Sequence, residues 1–163
     1  MGSVPAVIGV DQQKARCRER FEELLGAATK PGEETLDAVE RNAFAGLMEV
    51  GRLMVEARLE AEAAKDDAPE VMGIGGQKLP YHSHKALTYR SVFGEVRVER
   101  AYYWEEGAGE GYCPLDARLN VPVRKDSYVL QEWALRMGMA ESFDEMKEGL
   151  SELVGLAIPK RQL

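Results

Sequence analysis

The sequence predicts an α+β protein, mainly α, built from a long helical hairpin arm, a central β-hairpin and a C-terminal helix-turn-helix. Three observations predict it. Leu36, Val39, Ala43, Leu47, Val50, Met54, Ala57 and Ala61 recur at three- and four-residue steps, which lays them along one helical stripe. Residues 71–122 switch to alternating apolar positions, clustered glycines and most of the tyrosines, as strands do. From Asp126 the helical period returns, and Ser142 with Glu145 three residues later forms a capping box.

In the arm (11–66), a short helix opens at Asp11 as its cap. It carries Phe21, Leu24 and Leu25 on one face and stops near Gly26. Lys30-Pro31-Gly32 turns the chain into a helix from Thr35, its N-cap, to Lys65. A helix of about 30 residues is about 45 Å long, so the short helix covers only part of its stripe. Either Ala43, Gly46 and Gly51 let the two helices close on each other, or the rest of the stripe meets another module or another copy of the chain.

In the central module (71–122), Leu87–Phe93 and Val96–Tyr102 read as strands joined by a Gly94-Glu95 turn, since glycine tolerates the positive φ that a type II′ turn needs first. That register sets Phe93 opposite Val96 and Arg90 opposite Glu99, with the helices or the Tyr112–Leu119 segment to cover the apolar side. In the last part (125–163), Val129, Leu130, Trp133, Ala134 and Met137 share a face. Phe143, Met146, Leu150 and Leu153 share the next, and Pro159 opens a third helix with Lys160-Arg161-Gln162. A recognition helix of barely one turn is marginal, so the expectation is a truncated helix-turn-helix.

The chain has 28 acidic and 21 basic residues and a formal charge of −7, the wrong sign for a compact module held mainly by phosphates. The acidity lies in residues 1–70; the C-terminal third is neutral. Cys17 and Cys113 lie far apart, which fits a reducing cytoplasm, and no segment approaches the apolar length of a membrane span. Arg97 and Arg100, with Arg90, Lys85 and two histidines, alternate with Tyr102, Tyr103 and Trp104. Phosphate or base contact is one reading, and packing on the protein's own core is the other. Arg124 and Lys125 precede the helix-turn-helix, whose groove-facing start would be Lys160, Arg161 and Gln162. Asp116 has no partner carboxylate at a catalytic spacing and reads as a turn residue bonding nearby backbone N–H groups.

Five stretches occur in order: Gly51-Arg52-Leu53, Ser91-Val92-Phe93-Gly94-Glu95-Val96, Arg100-Ala101-Tyr102-Tyr103, Gly109 to Asp116 with its Pro114-Leu115-Asp116, and Ser142-Phe143-Asp144-Glu145. Together, over residues 40–163, they resemble the N-terminal half of ISKra-type insertion-sequence transposases. That family carries two Cys-x-x-Cys-Gly zinc knuckles, one before the hairpin and one after the Tyr-Tyr strand. Here the ligand positions are Val71 and Ile74, and Glu105 and Ala108, so the resemblance implies a degenerate zinc ribbon without metal. His82, His84 and Cys113 lack a Cys-x-x-Cys pair and read as ordinary residues.

The resemblance implies a bacterial cytoplasmic protein active in DNA transposition. Its nuclease domain, with Asp-Asp-Glu ligands for a divalent metal such as Mg, would lie beyond Leu163. This chain then needs no cofactor, is no enzyme alone and binds DNA weakly. The alternative is a repurposed interaction or oligomerisation module with no specific DNA binding.

Overall fold

A computed structural model describes residues 9–32, 34–107, 109–138 and Gly149. Its elements are α1 (Val10–Thr29), α2 (Leu36–Ala63), β1 (Glu70–Met72), β2 (Lys78–Ser91), β3 (Gly94–Tyr103), α3 (Pro114–Arg118) and α4 (Tyr128–Gly138). The fold is α+β, with one antiparallel sheet ordered β1-β2-β3. The capping box at Ser142 and the helix opening at Pro159 lie outside the described residues.

The long helix forms where its stripe and cap predict: Thr35 accepts a hydrogen bond from the Ala38 N–H through its side chain. Its burial follows a different line. Leu36, Leu47 and Met54 of the expected stripe are exposed, while Val50, Leu53 and Leu59 are buried. The reason is that α2 meets two partners on different sides, α1 on one and β3 on the other. A single stripe describes a helix with one neighbour.

The first helix starts at Val10 with Gly9 as N-cap and no side-chain cap, so Asp11 sits in the first turn rather than capping it. It runs through Gly26 to Thr29, and Phe21 and Leu25 stay exposed. Of the small residues expected to bring the helices together, Gly46 does so, since a Cβ there would overlap Leu24. Gly51 does not face α1. It receives the ring of Phe93 from the hairpin tip, and a Cβ there would overlap that ring.

The hairpin closes earlier than the Gly94-Glu95 turn predicts. Ser91 pairs with Gly94, Tyr89 with Val96 and Leu87 with Val98, leaving Val92-Phe93 as the loop. The Ser91 hydroxyl accepts from the Phe93 N–H at 3.1 Å and donates to the Gly94 carbonyl at 3.0 Å, which fixes the tighter closure. Gly94, at φ 112°, takes a conformation closed to most side chains just past the loop. Arg90 therefore stands opposite Glu95, not Glu99.

Farther from the tip the register slips between Tyr81 and Ser83, a bulge at His82. An extra residue reverses which side of the sheet alternate side chains take. Leu87 accordingly joins Val96, Val98, Leu59 and Leu115, whereas Leu79, eight residues earlier, joins Ala101 and Tyr103. Leu115, fully buried, supplies the cover expected from the 112–119 segment. A third cluster joins Val92 to Leu130 and Ala134 of α4; of the other expected face residues Met137 packs against it, while Val129 and Trp133 remain exposed.

Candidate nucleic-acid interface

The strand alternation that lines Arg90, Arg97 and Arg100 up in the sequence sends their side chains to different surroundings. Arg100 points to the side of Val96 and Val98, is 8 % exposed and ion-pairs with Asp116 of α3. Asp116 thus bonds a guanidinium rather than the backbone N–H groups expected of a turn aspartate. Arg90 is held by Asp126 at 2.7 Å, with both side chains largely buried. Arg97, 78 % exposed at the side chain, lies on the opposite side of β3 beside Glu95 at 3.0 Å.

The aromatic residues divide the same way. Tyr103 is fully buried, its hydroxyl donating to the Ala68 carbonyl at 3.0 Å, and burial raises its phenol pKa. On the other side the bulge brings His82 edge-on to Tyr102 and Trp104, at centroid separations of 5.9 and 5.4 Å. The Lys85 ammonium lies 3.2 Å above the Tyr102 ring, a cation–π contact. Lys85, His82, Tyr102 and Trp104 therefore form a compact patch with one cation and three rings. It can offer stacking edges to unpaired bases, but lacks the charge to track a duplex backbone.

Arg124 and Lys125 are exposed in the turn before α4, with Lys125 at φ 64°. Lys160, Arg161 and Gln162 lie outside the described residues. Of the four positions where the resemblance would place metal ligands, Val71 packs on the Leu79 cluster, Ile74 is 90 % exposed, Glu105 is exposed, and Ala108 is outside the described residues. No group of three metal-binding side chains occurs among the described residues. Cys113, half-buried, has its thiol pKa raised chiefly by burial, against the lowering influence of Arg100, so it is a poor nucleophile.

Two features escaped the sequence. Glu62, nearly buried, gathers Arg58 at 2.8 Å, Lys65 at 2.7 Å and Arg118 at 3.2 Å, and Arg118 also reaches Asp66 at 2.6 Å. This ion cluster ties the end of α2 to α3. A mostly apolar groove of about 440 Å³ opens between α2 and the hairpin tip, walled by Gly51, Met54, Phe93, Val121 and Tyr128. Only the Ser127 cap of α4, whose hydroxyl accepts from the Leu130 N–H at 3.0 Å, left a local signal: a serine just before an apolar-periodic run. No helix among the described residues is long and apolar enough to cross a membrane. Comparison with protein families, curated proteins and solved structures finds no match to this chain.

Proposed function

We propose that this chain is the front, accessory portion of an ISKra-like transposase, contributing DNA contacts to transposition beside a nuclease domain and cutting nothing alone. One observation carries the reading: four of the five stretches behind the resemblance, dispersed in sequence, touch one another in two pairs. Phe93 of the Phe-Gly-Glu-Val turn covers Gly51 of the Gly-Arg-Leu stretch, and Arg100 of the Arg-x-Tyr-Tyr strand ion-pairs with Asp116 of Pro-Leu-Asp. Unrelated chance matches have no reason to be each other's packing partners.

A zinc-less ribbon is part of the same reading. The Gly73–Gln77 turn and the turn following Tyr103 leave the same end of the sheet, and an apolar cluster of Val71, Leu79, Tyr103 and Tyr112 sits there. A helix-turn-helix after α4 belongs to the reading as well, with Lys160 and Arg161 as its phosphate contacts.

Fluorescence anisotropy on a labelled random-sequence 30-bp duplex tests it. Binding is expected to be weak, with Kd above about 10 μM at 150 mM salt, to tighten several-fold at 50 mM, and to fall in the Lys160→Ala/Arg161→Ala double variant. Nanomolar, sequence-selective binding at physiological salt would replace the reading with a complete DNA reader. Absence of any salt-dependent binding would favour the second reading, an interaction module. That reading draws on the engagement of Arg90 and Arg100 by internal acids and on the open apolar groove.

A further inference from the structure

One face of α2 is covered by neither α1 nor the sheet. It runs through Leu36, Phe44, Leu47 and Met54, which are 82, 52, 52 and 62 % exposed. Glu40 and Arg58 lie on the same stripe, because steps of three, four and seven residues return to one side of a helix. Exposed apolar residues in such a row mark a contact surface more often than scattered ones do. The groove walled by Gly51, Met54, Phe93 and Tyr128 opens directly beside its C-terminal half.

Charge selects the occupant. At its N-terminal end Asp37 and Glu40 outnumber Arg41, which pairs with Asp37 at 3.0 Å, and at its C-terminal end the stripe presents the exposed Arg58. A second helix of this kind laid parallel would set like charge against like. Laid antiparallel, it sets each acidic end on a basic one.

We propose that this stripe is an interface between two copies of the chain, their α2 helices antiparallel about a two-fold axis beside Leu47 and Met48. In that register the partner's Phe44 stands opposite Gly51, whose own face Phe93 covers, and its ring meets the mouth of the adjoining groove beside Met54, Phe93 and Tyr128. The partner's Asp37 stands opposite Arg58. Arg58 bonds Glu62 at 2.8 Å, yet its side chain is 67 % exposed, so guanidinium donors remain available to the incoming acid. A two-fold contact repeats each of these pairings, so one phenyl pocket and one charge pair are counted twice. From Leu36 to Arg58 the stripe is about 33 Å long and one helix wide, smaller than a standard stable interface. The dimer is accordingly weak, with a Kd in the range of tens to hundreds of micromolar.

Sedimentation velocity from about 10 to 500 μM should show a monomer–dimer equilibrium in that range. Leu47→Lys, an exposed change, should abolish the dimer with an unchanged circular dichroism spectrum. Arg58→Glu should weaken it about tenfold, and combining it with Asp37→Lys should restore it. In a Cys17→Ser/Cys113→Ser background, Leu47→Cys should form a disulfide-linked dimer on mild oxidation, whereas Met54→Cys should not. A chain monomeric throughout the concentration range overturns the proposal. Equal self-crosslinking at positions 47 and 54, the mark of a parallel pair, overturns it too.

Discussion

Where α2 lies against the sheet, Leu59, Leu87, Val96, Val98 and Leu115 are at most 4 % exposed. Where it lies against α1, the flanking Phe21 and Leu25 are 44 and 47 % exposed. The helix pair is held instead by Leu24 against Gly46, by the Arg20–Glu49 ion pair at 2.7 Å, and by a buried Gln13. One helix thus has a dry side and a wet side, and cohesion scales with apolar area removed from water rather than with the number of touching residues. Exposed ion pairs contribute little to such a balance. The arm is the part whose sequence is most plainly helical, yet the sheet module is where folding free energy concentrates.

Truncating the centre of the dry side gives the largest effect. Leu115→Ala should cost about 2–5 kcal/mol in urea unfolding, since it removes a fully buried side chain and leaves a cavity between α3 and the sheet. A loss comparable to that of an arm variant would erase the contrast between the two regions.

The ion cluster at the junction gives an intermediate, pH-dependent effect. A hydrogen bond from Lys65, with further help from Arg118, holds the Glu62 carboxyl below the usual carboxylate range. A depressed value means that the stabilisation is complete above the unfolded pKa of about 4.3 and disappears as pH falls through the folded one. The Tm gap between wild type and Glu62→Gln should therefore be open at pH 6–7 and narrow progressively as pH falls below about 4.3. Glu60 has the opposite sign. Burial, together with Glu56 and Glu99, raises its pKa, so its ionisation opposes folding above that value. A gap that persists unchanged into acid would assign Glu62 a packing role only.

On the wet side, Phe21→Ala should change stability by no more than about 0.5 kcal/mol, because the ring already meets water. Thermal melts at neutral pH decide this, and a loss above about 2 kcal/mol would mean that α1 is covered in solution.

The features legible in the sequence are those whose causes are local. Thr35 caps its own helix three residues on, so the start of α2 could be read directly. Alternation in residues 87–93 and 96–102 revealed the hairpin, and its expected covers, the helices and the 112–119 segment, are supplied through Leu59 and Leu115. The register departs from the expected one because glycine in a two-residue loop is a general preference, whereas the Ser91 hydroxyl closes this particular loop two residues earlier. Fates of the candidate DNA-contacting arginines were illegible for a different reason. Asp116 and Asp126 lie 16 and 36 residues from the arginines they hold, and nothing in a strand's own pattern names so distant an acid. The exposed half of the α2 stripe could not be foreseen either, since periodicity says which residues share a side and not which sides find neighbours.

The bulge at His82 makes one 14-residue strand line two cores on opposite sides of its sheet. Deleting that residue would not merely shorten β2: it would turn Leu79 outward, or turn Leu87 outward, because a pleated ribbon has no third option. Inside and outside on this sheet are therefore set by a count of residues, and this stretch of chain tolerates substitutions of size more readily than a change in length by one.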